Sequence, residues 1–285
     1  MLLLPLLAAF LQLGGMARAG TLVQFGTPVG SFVIELYDAD KPVTTSNFLY
    51  YVNSGLYDNS FFHRLIPGFV VQGGGYFVLN LNTSSNEIAP IPVGPDIPNE
   101  ADSGTIYSNT FGTIAMALGT DDNTANSQYF FNLGDNSALL DGTSDGGPFT
   151  VFGNLIAGTN GLLVFNAFVL DAPAGTVLDL STSLGAPFGA IPLLTTNLTF
   201  NDLIYTDVSI FERPRLQIGP PSAGAVRLEW NASTSTNFTY HVDVATNLPP
   251  VWNEIAVVSG ATTNLSYLAT NQVGGVAFYR LRLQY

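Results

Sequence analysis

The sequence predicts a mainly β protein, and three observations carry that expectation. Strand- and turn-favouring residues are abundant, with 29 Gly, 20 Phe and 12 Tyr in 285 residues, beside many Thr and Val. No long tract rich in Ala, Glu, Lys and Leu occurs, which argues against a helical bundle. Apolar residues fall in short, often alternating runs bounded by Gly, Pro, Asn and Asp. Hydrophobic residues make up 47% and charged residues 10% of the chain, so it is not a disordered polymer and has ample material for a core.

The chain opens on MLLLPLLAAFLQLGG, followed by Ala17-Arg18-Ala19. An apolar run closed by small residues at alternate positions predicts a leader over residues 1–19, with cleavage before Gly20 and export to the periplasm or the extracellular space. The competing reading is an uncleaved anchor, since no Lys or Arg precedes the run. The run is short for a spanning helix of about 20 residues, and no other segment reads as a membrane span.

Residues 22–37 give two alternating runs around Gly26-Thr27-Pro28-Val29-Gly30, a hairpin pattern. Phe48, Leu49, Tyr51 and Val52 then lie at helical spacing, with Thr44 or Thr45 as N-cap and Gly55 as C-cap. Residues 57–75 read as strand, Pro-Gly turn and strand, and 76–98 as a loop rich in Asn, Ser and Pro. Residues 105–118, 127–133, 149–155 and 203–212 read as strands. Polar and Gly-rich loops fall at 119–126 and 134–148, a second short helix at 159–168, and a Pro/Gly-punctuated excursion at 171–200. After Arg213-Pro214-Arg215 the runs AVRLEW, FTYHVDVA, WNEIAVV, TNLSYLA and VAFYRLRLQY follow at close intervals, as in a small β-sandwich.

Charge divides the chain at the same place. Over residues 20–212 only Lys41 and Arg64 oppose eighteen acids, whereas residues 213–285 hold five arginines and three acids. The domains are therefore expected at 20–212 and 213–285. The whole chain carries −13, which excludes nucleic acid as a partner and serves solubility. With no cysteine there is no disulfide or thiol nucleophile. Asp121, Asp122, Asp141 and Asp145 do not follow the spacing of an EF-hand loop, so no metal site is expected.

The segment Phe62-His63-Arg64-Leu65-Ile66-Pro67-Gly68-Phe69-Val70-Val71-Gln72-Gly73-Gly74 is the most informative. Alternation places Phe62, Arg64 and Ile66 on one face and His63 and Leu65 on the other. Arg64, the single arginine of the first unit, sits among apolar residues. On that ground alone it is either a snorkelling cation at a rim or a functional group. His63, facing away from it, reads as structural. The aromatics of Ser127-Gln128-Tyr129-Phe130-Phe131 and Phe149-Thr150-Val151-Phe152-Gly153 read singly as core.

Taken together, these segments resemble the cyclophilin family of peptidyl-prolyl cis/trans isomerases. The pattern FHR-x-I-P-G-F-x-x-Q-G-G is joined by Met116-Ala117-Leu118, Ser127-Gln128-Tyr129-Phe130-Phe131, Leu140-Asp141-Gly142 and Thr150-Val151-Phe152-Gly153. The resemblance spans roughly residues 22–212. It implies a closed, eight-stranded antiparallel barrel capped by two short helices, with the active groove on its outer surface. It places the catalytic role on Arg64, Phe69 and Gln72. Substrate-binding roles fall on Val70, Ala117, Leu118, Gln128, Phe130, Leu140 and Phe149. The family's frequent Met is Val70 here, a common Trp is Leu139, a groove His is Phe149 and an Asn is Leu118. No cofactor is implied. The expected partners are proline-containing polypeptides, the expected state is a monomer, and the expected role is folding of exported proteins. The alternative is a non-catalytic proline-peptide-binding or surface adhesion module on the same scaffold. The C-terminal unit more loosely resembles fibronectin-III-type sandwiches of exported bacterial proteins, with Trp230 and Trp252 as core or inter-sheet residues.

Overall fold

The computed structural model describes residues 20–142, 146–169, 175–196, 199–220, 222, 225–231, 239–259, 264–270 and 276–284; the expected leader lies outside them. The predicted hairpin is formed by β1 (Leu22–Thr27) and β2 (Gly30–Leu36), paired around Pro28 and Val29. Then come α1 (Pro42–Asn53), β3 (Ser60–Phe61), β4 (Arg64–Ile66), β5 (Val70–Gly73), β6 (Tyr76–Leu79) and β7 (Glu87–Pro90). β8 (Thr113–Met116), β9 (Tyr129–Asn132), α2 (Ser137–Leu140), β10 (Val151–Ala157) and α3 (Thr159–Leu163) follow. The excursion after them holds β11 (Thr176–Leu178), α4 (Ser181–Leu184) and β12 (Ile191–Leu193), before β13 (Tyr205–Phe211).

β3 runs on into β4, and β5 into β6, as two bent strands. β4 pairs with β5 and β3 with β6, so the bent strands form one hairpin. Its second arm joins β9, and the ladder continues through β8, β10, β2, β1 and β13, which returns to β3. The eight antiparallel staves thus close into a ring, with β4 and β7 as the end strands of the ladder.

Alternation fills the barrel. Val23 and Phe25, Phe32 and Ile34, and Tyr129 and Phe131 point inward and are buried. Phe25 stacks on Phe32 at 5.3 Å between centroids and meets Phe131 edge-on at 4.9 Å. α1 covers one end through Phe48 and Tyr51, and α3 with its following 3-10 turn covers the other through Leu162 and Phe165.

Several local expectations change. Thr44 and Thr45 lie inside α1, buried, not at its cap; the helix begins at Pro42. Its first amides, of Val43 and Thr44, donate to the Glu100 carboxylate at 3.2 and 2.7 Å, a cap from 56 residues away. Gly55 follows the helix at φ +70°, as a helix-ending glycine does. Residues 76–90 are a hairpin, β6 with β7, and only the end of 105–118 is a strand. Phe62 is in the barrel core with Leu65, and Arg64 faces out. Strand geometry lapses at Phe62 and His63, between β3 and β4, and this shifts the alternation by one residue.

Beyond the barrel come β14 (Gln217–Ile218), β15 (Ala225–Asn231), β16 (Thr239–Ala245), β17 (Asn253–Ser259), β18 (Asn264–Thr270) and β19 (Phe278–Gln284). They form two three-stranded sheets, β14-β15-β18 and β17-β16-β19. The sheets share a core of Leu228, Trp230, Tyr240, Val242 and Ala269. Trp230 is an inter-sheet residue, its ring 5.8 Å from Tyr240. Trp252 is not core: the Arg280 guanidinium lies 4.4 Å from its ring centroid. The core runs on to the barrel's outer face, taking in Leu22, Val33, Ala157 and Phe211. Arg213 ties the junction by donating to the Glu35 carboxylate at 2.5 Å.

Candidate active site

The strand register that fills the barrel also builds a row of side chains on its outside. Arg64 stands opposite Gln72, Gln72 opposite Phe130, Phe130 opposite Ala115 and Ala115 opposite Val151. Directly opposed residues share a face, so one polar pair and an apolar floor lie side by side across five strands. The intervening residues Leu65, Val71, Phe131 and Ile114 go to the core.

Around this row lies a groove with a cavity of about 300 Å³. Arg64, Phe69, Val70, Gln72, Ala117, Leu118, Phe130, Leu140 and Phe149, all expected from the sequence, line it, and Leu139 of α2 joins them. Gln128 stands behind: its Oε1 accepts from Gln72 Nε2 at 2.9 Å. Gln72 Oε1 in turn faces the Arg64 guanidinium, with Nη1 at 3.5 Å. The Phe130 and Phe149 rings meet edge-on at 5.6 Å. The Phe149 amide donates to the Leu140 carbonyl at 3.1 Å, and the Ala117 amide to the Gln128 carbonyl at 2.9 Å. A larger hollow of about 700 Å³ lies on the C-terminal unit. Its lining is more polar and includes the exposed pair Arg227–Glu229 beside Trp230 and Leu265.

Arg64 is half-buried, and among the described residues no carboxylate pairs with it. Burial lowers its pKa from the ordinary value, but a guanidinium keeps its charge throughout the useful pH range. The groove therefore presents one unneutralised cation beside an apolar hollow. His63 is buried and held neutral. Loss of hydration, and then the Arg64 charge, push its pKa down to about 4, with a Gln128 hydrogen bond opposing. Its place is structural, as its sequence context suggested.

Two supports were not foreseen. The strand carrying Arg64 is braced by the excursion after α3: the Leu65 amide donates to the Ala190 carbonyl at 2.7 Å. Phe188 of the same segment packs on Tyr76 at 4.7 Å, and Tyr76 on His63 at 5.1 Å. Beneath the groove runs a chain of buried amides. Asn109 Nδ2 donates to Asp141 at 2.9 Å, Asn132 Nδ2 to Asn109 Oδ1 at 3.0 Å, and Asn136 Nδ2 to Asn132 Oδ1 at 2.7 Å. Asn136 Nδ2 also reaches the Phe69 carbonyl at 2.7 Å. Asn166 holds the neighbouring turn, accepting from the Gly68 amide at 2.7 Å and donating to the Leu133 carbonyl at 3.0 Å. The one sequence signal for this network is an asparagine ending an otherwise aromatic strand, Tyr129-Phe130-Phe131-Asn132.

The chain is similar to known proteins over its barrel. The family model for cyclophilin type peptidyl-prolyl cis-trans isomerases matches residues 22–176. Peptidyl-prolyl cis-trans isomerase A of Dickeya dadantii is 40% identical over 142 residues, covering 50% of this chain and 69% of that protein. Peptidyl-prolyl cis-trans isomerase B of Escherichia coli is 37% identical over 139 residues, covering 48% and 79%. A solved cyclophilin type isomerase of Cryptosporidium parvum overlays with a TM-score of 0.45 at 24% identity, covering 68% of this chain and 99% of that one. The family match ends at residue 176, at the start of β11, and so does not take in β13, the last stave.

Proposed function

The chain belongs to the cyclophilin-type peptidyl-prolyl cis-trans isomerases, and on that premise we propose that Arg64 and the groove beside it catalyse rotation about X–Pro bonds of exported polypeptides. Amide resonance sets a rotation barrier of about 18–20 kcal/mol. The tertiary amide of X–Pro leaves cis and trans close in energy, so both isomers occur, yet exchange is slow. Nothing needs to be bonded or oxidised. A catalyst has only to bind the twisted amide better than the planar one.

Twisting removes resonance and returns the lone pair to the prolyl nitrogen. A guanidinium donating to that nitrogen stabilises the twisted state, and apolar walls strengthen the interaction. Arg64 has that character. Gln72, anchored by Gln128, holds the guanidinium from behind. In this reading Phe69, Phe130 and Leu140, with Val70, grip the pyrrolidine ring and Ala117 and Leu118 meet the substrate backbone; all of them line the groove, together with the apolar Leu139 and Phe149.

The observation that carries this reading is an unpaired guanidinium at the lip of an apolar cavity of about 300 Å³. A coupled proline-isomerisation assay on the wild type beside Arg64→Ala tests it. The expected result is acceleration by the wild type and a loss of kcat/KM of about a hundredfold or more in the variant, the scale of losing one aligned charge donor. A folded variant with wild-type activity refutes the role given to Arg64. Export rests on the residue pattern before Gly20; mass spectrometry of the protein from its native envelope is expected to find Gly20 as the first residue, and a retained leader refutes cleavage.

A further inference from the structure

We propose that the groove selects basic polypeptides: X–Pro segments flanked by lysine or arginine are its preferred substrates, and acidic ones are turned away. The proposal rests on the isomerase reading above and adds the chemistry of the substrate.

The first observation is the distribution of charge on the barrel. Of its two cations, Lys41 is 1% exposed, with Nζ donating to the carbonyls of Glu100 at 2.7 Å and Ser103 at 2.5 Å. Arg64 is half-buried in the groove. The barrel thus carries no exposed cation among its described residues, while Asp58, Glu87, Asp96, Asp102, Asp179 and Asp207 are all exposed. In the C-terminal unit Arg213 is paired with Glu35, Arg227 with Glu229, and Arg280 and Arg282 with Asp243, and the exposed Arg215, in no ion pair among the described residues, lies outside the barrel.

The second observation is where the acids stand relative to the groove. Asp141 follows Leu140 directly, so their Cα atoms are about 3.8 Å apart. Asp121 comes three residues after Leu118, at most about 11 Å along the chain. Asp122 is next to it. Asp135 follows Gly134, whose backbone abuts the Gly68 carbonyl at the foot of Phe69. All four acids are exposed. Each is tied by the chain or by a backbone contact to a groove-lining residue, so the flanks of a peptide whose proline occupies the pocket lie in their field.

The third step is magnitude. In water, a carboxylate about 8 Å from a unit charge on the substrate changes its affinity about twofold. Four such groups, partly offset by Arg64, favour a cation by about fourfold to tenfold and disfavour an anion by as much. Low-dielectric walls and the wider acidic surface add to the encounter rate in the same direction. Such a term is carried by screened charges, so salt removes it.

The test uses three matched Ala-Pro-Phe peptides with two lysines, two glycines or two glutamates before the alanine. kcat/KM is measured at ionic strengths from about 10 mM to about 0.5 M, a span over which the screening length shrinks from about 30 Å to about 4 Å. The lysine peptide is expected to exceed the glutamate peptide by tenfold or more at low salt, and by less than about twofold at high salt. The double variant Asp121→Asn/Asp122→Asn is expected to lower the lysine peptide's low-salt kcat/KM about fourfold and to raise the glutamate peptide's by as much, with the glycine peptide unchanged. Equal rates for the three peptides, or a ratio indifferent to salt, overturn the proposal. If even the glycine peptide is not isomerised, the catalytic reading fails. Calorimetric affinities of the same peptides then decide the charge preference separately: tighter lysine-peptide binding supports it and equal binding overturns it.

Discussion

Asn136 offers a demanding test of how the groove is held. Its side chain makes two bonds of 2.7 Å, one to the Phe69 carbonyl and one to Asn132 Oδ1. Asn136→Ala removes both. The Phe69 carbonyl keeps the Leu133 amide, at 2.8 Å, so it does not become an orphan. Asn132 is fully buried, and its Oδ1 loses this donor. An unsatisfied buried acceptor costs about 1–3 kcal/mol, so the variant is expected to lose about 2 kcal/mol of stability. Asn136 also precedes α2, which carries Leu139 and Leu140 into the groove. With one restraint on Phe69 gone and α2 loosened, two walls of the proline pocket become less ordered. Lost preorganisation of about 1 kcal/mol corresponds to a KM about five times higher. The Arg64–Gln72–Gln128 bonds are untouched, so kcat is expected to stay within about twofold. Urea unfolding followed by circular dichroism gives the first number and steady-state kinetics on an Ala-Pro peptide the second. A stability loss of the expected size with an unchanged KM refutes a positioning role and leaves the amide chain as fold support alone. An unchanged stability refutes the bonds themselves.

Two other perturbations probe the frame. His63 has its pKa depressed from an ordinary value near 6.5 to about 4, so the folded state prefers it neutral. Its contribution is complete above about pH 6.5 and is lost as pH falls toward 4, amounting to about 3 kcal/mol at 1.36 kcal/mol per pKa unit. Asp243, held near 2 chiefly by its Arg282 bonds, acts in a lower window. Stability curves of wild type and His63→Gln should therefore diverge in slope between pH 6.5 and 4, and parallel curves exclude the assignment. Removing residues 213–285 uncovers Leu22, Val33, Ala157 and Phe211, at about 1.5–3 kcal/mol for each of the larger side chains. Residues 20–212 alone are expected to self-associate on size exclusion, and a stable monomer would show that the shared core matters little.

The sequence was most legible where function and local chemistry coincide. The groove residues cluster in three short stretches because strand register repeats every two residues. A motif on β5 therefore meets β9 at a fixed offset, Gln72 against Phe130. The C-terminal strands were legible for the same reason, each alternating run becoming one strand. What escaped were effects with no local signature. The Glu100 cap on α1 joins residues far apart in sequence. The bend at Phe62 and His63 reverses which face Phe62 takes, and alternation read straight through it gives the wrong side. Val33 is an outward residue between inward Phe32 and Ile34, yet it is fully buried. Only the sandwich packed over it explains that, and no pattern within β2 encodes it. The brace on Arg64's strand lies in the excursion at 171–200, whose composition reads simply as loop.

Among the described residues Arg64 pairs with no carboxylate, although the sequence of the first unit holds eighteen acids. A carboxylate within about 4–6 Å would hold the guanidinium in place and share its field, weakening what reaches the prolyl nitrogen. Register prevents this. The positions sharing Arg64's face are Gln72, Phe130, Ala115 and Val151, and the remaining walls are Leu118, Leu139, Leu140 and Phe149. Asp135 and Asp141 are engaged elsewhere: Asp135 accepts from Ser137 at the start of α2, and Asp141 from Asn109. The described acids thus stand outside ion-pairing distance of the guanidinium, which keeps its charge for the reaction proposed above. The same alternation that fills the barrel sorts near from far around Arg64, so fold and site are consequences of a single register.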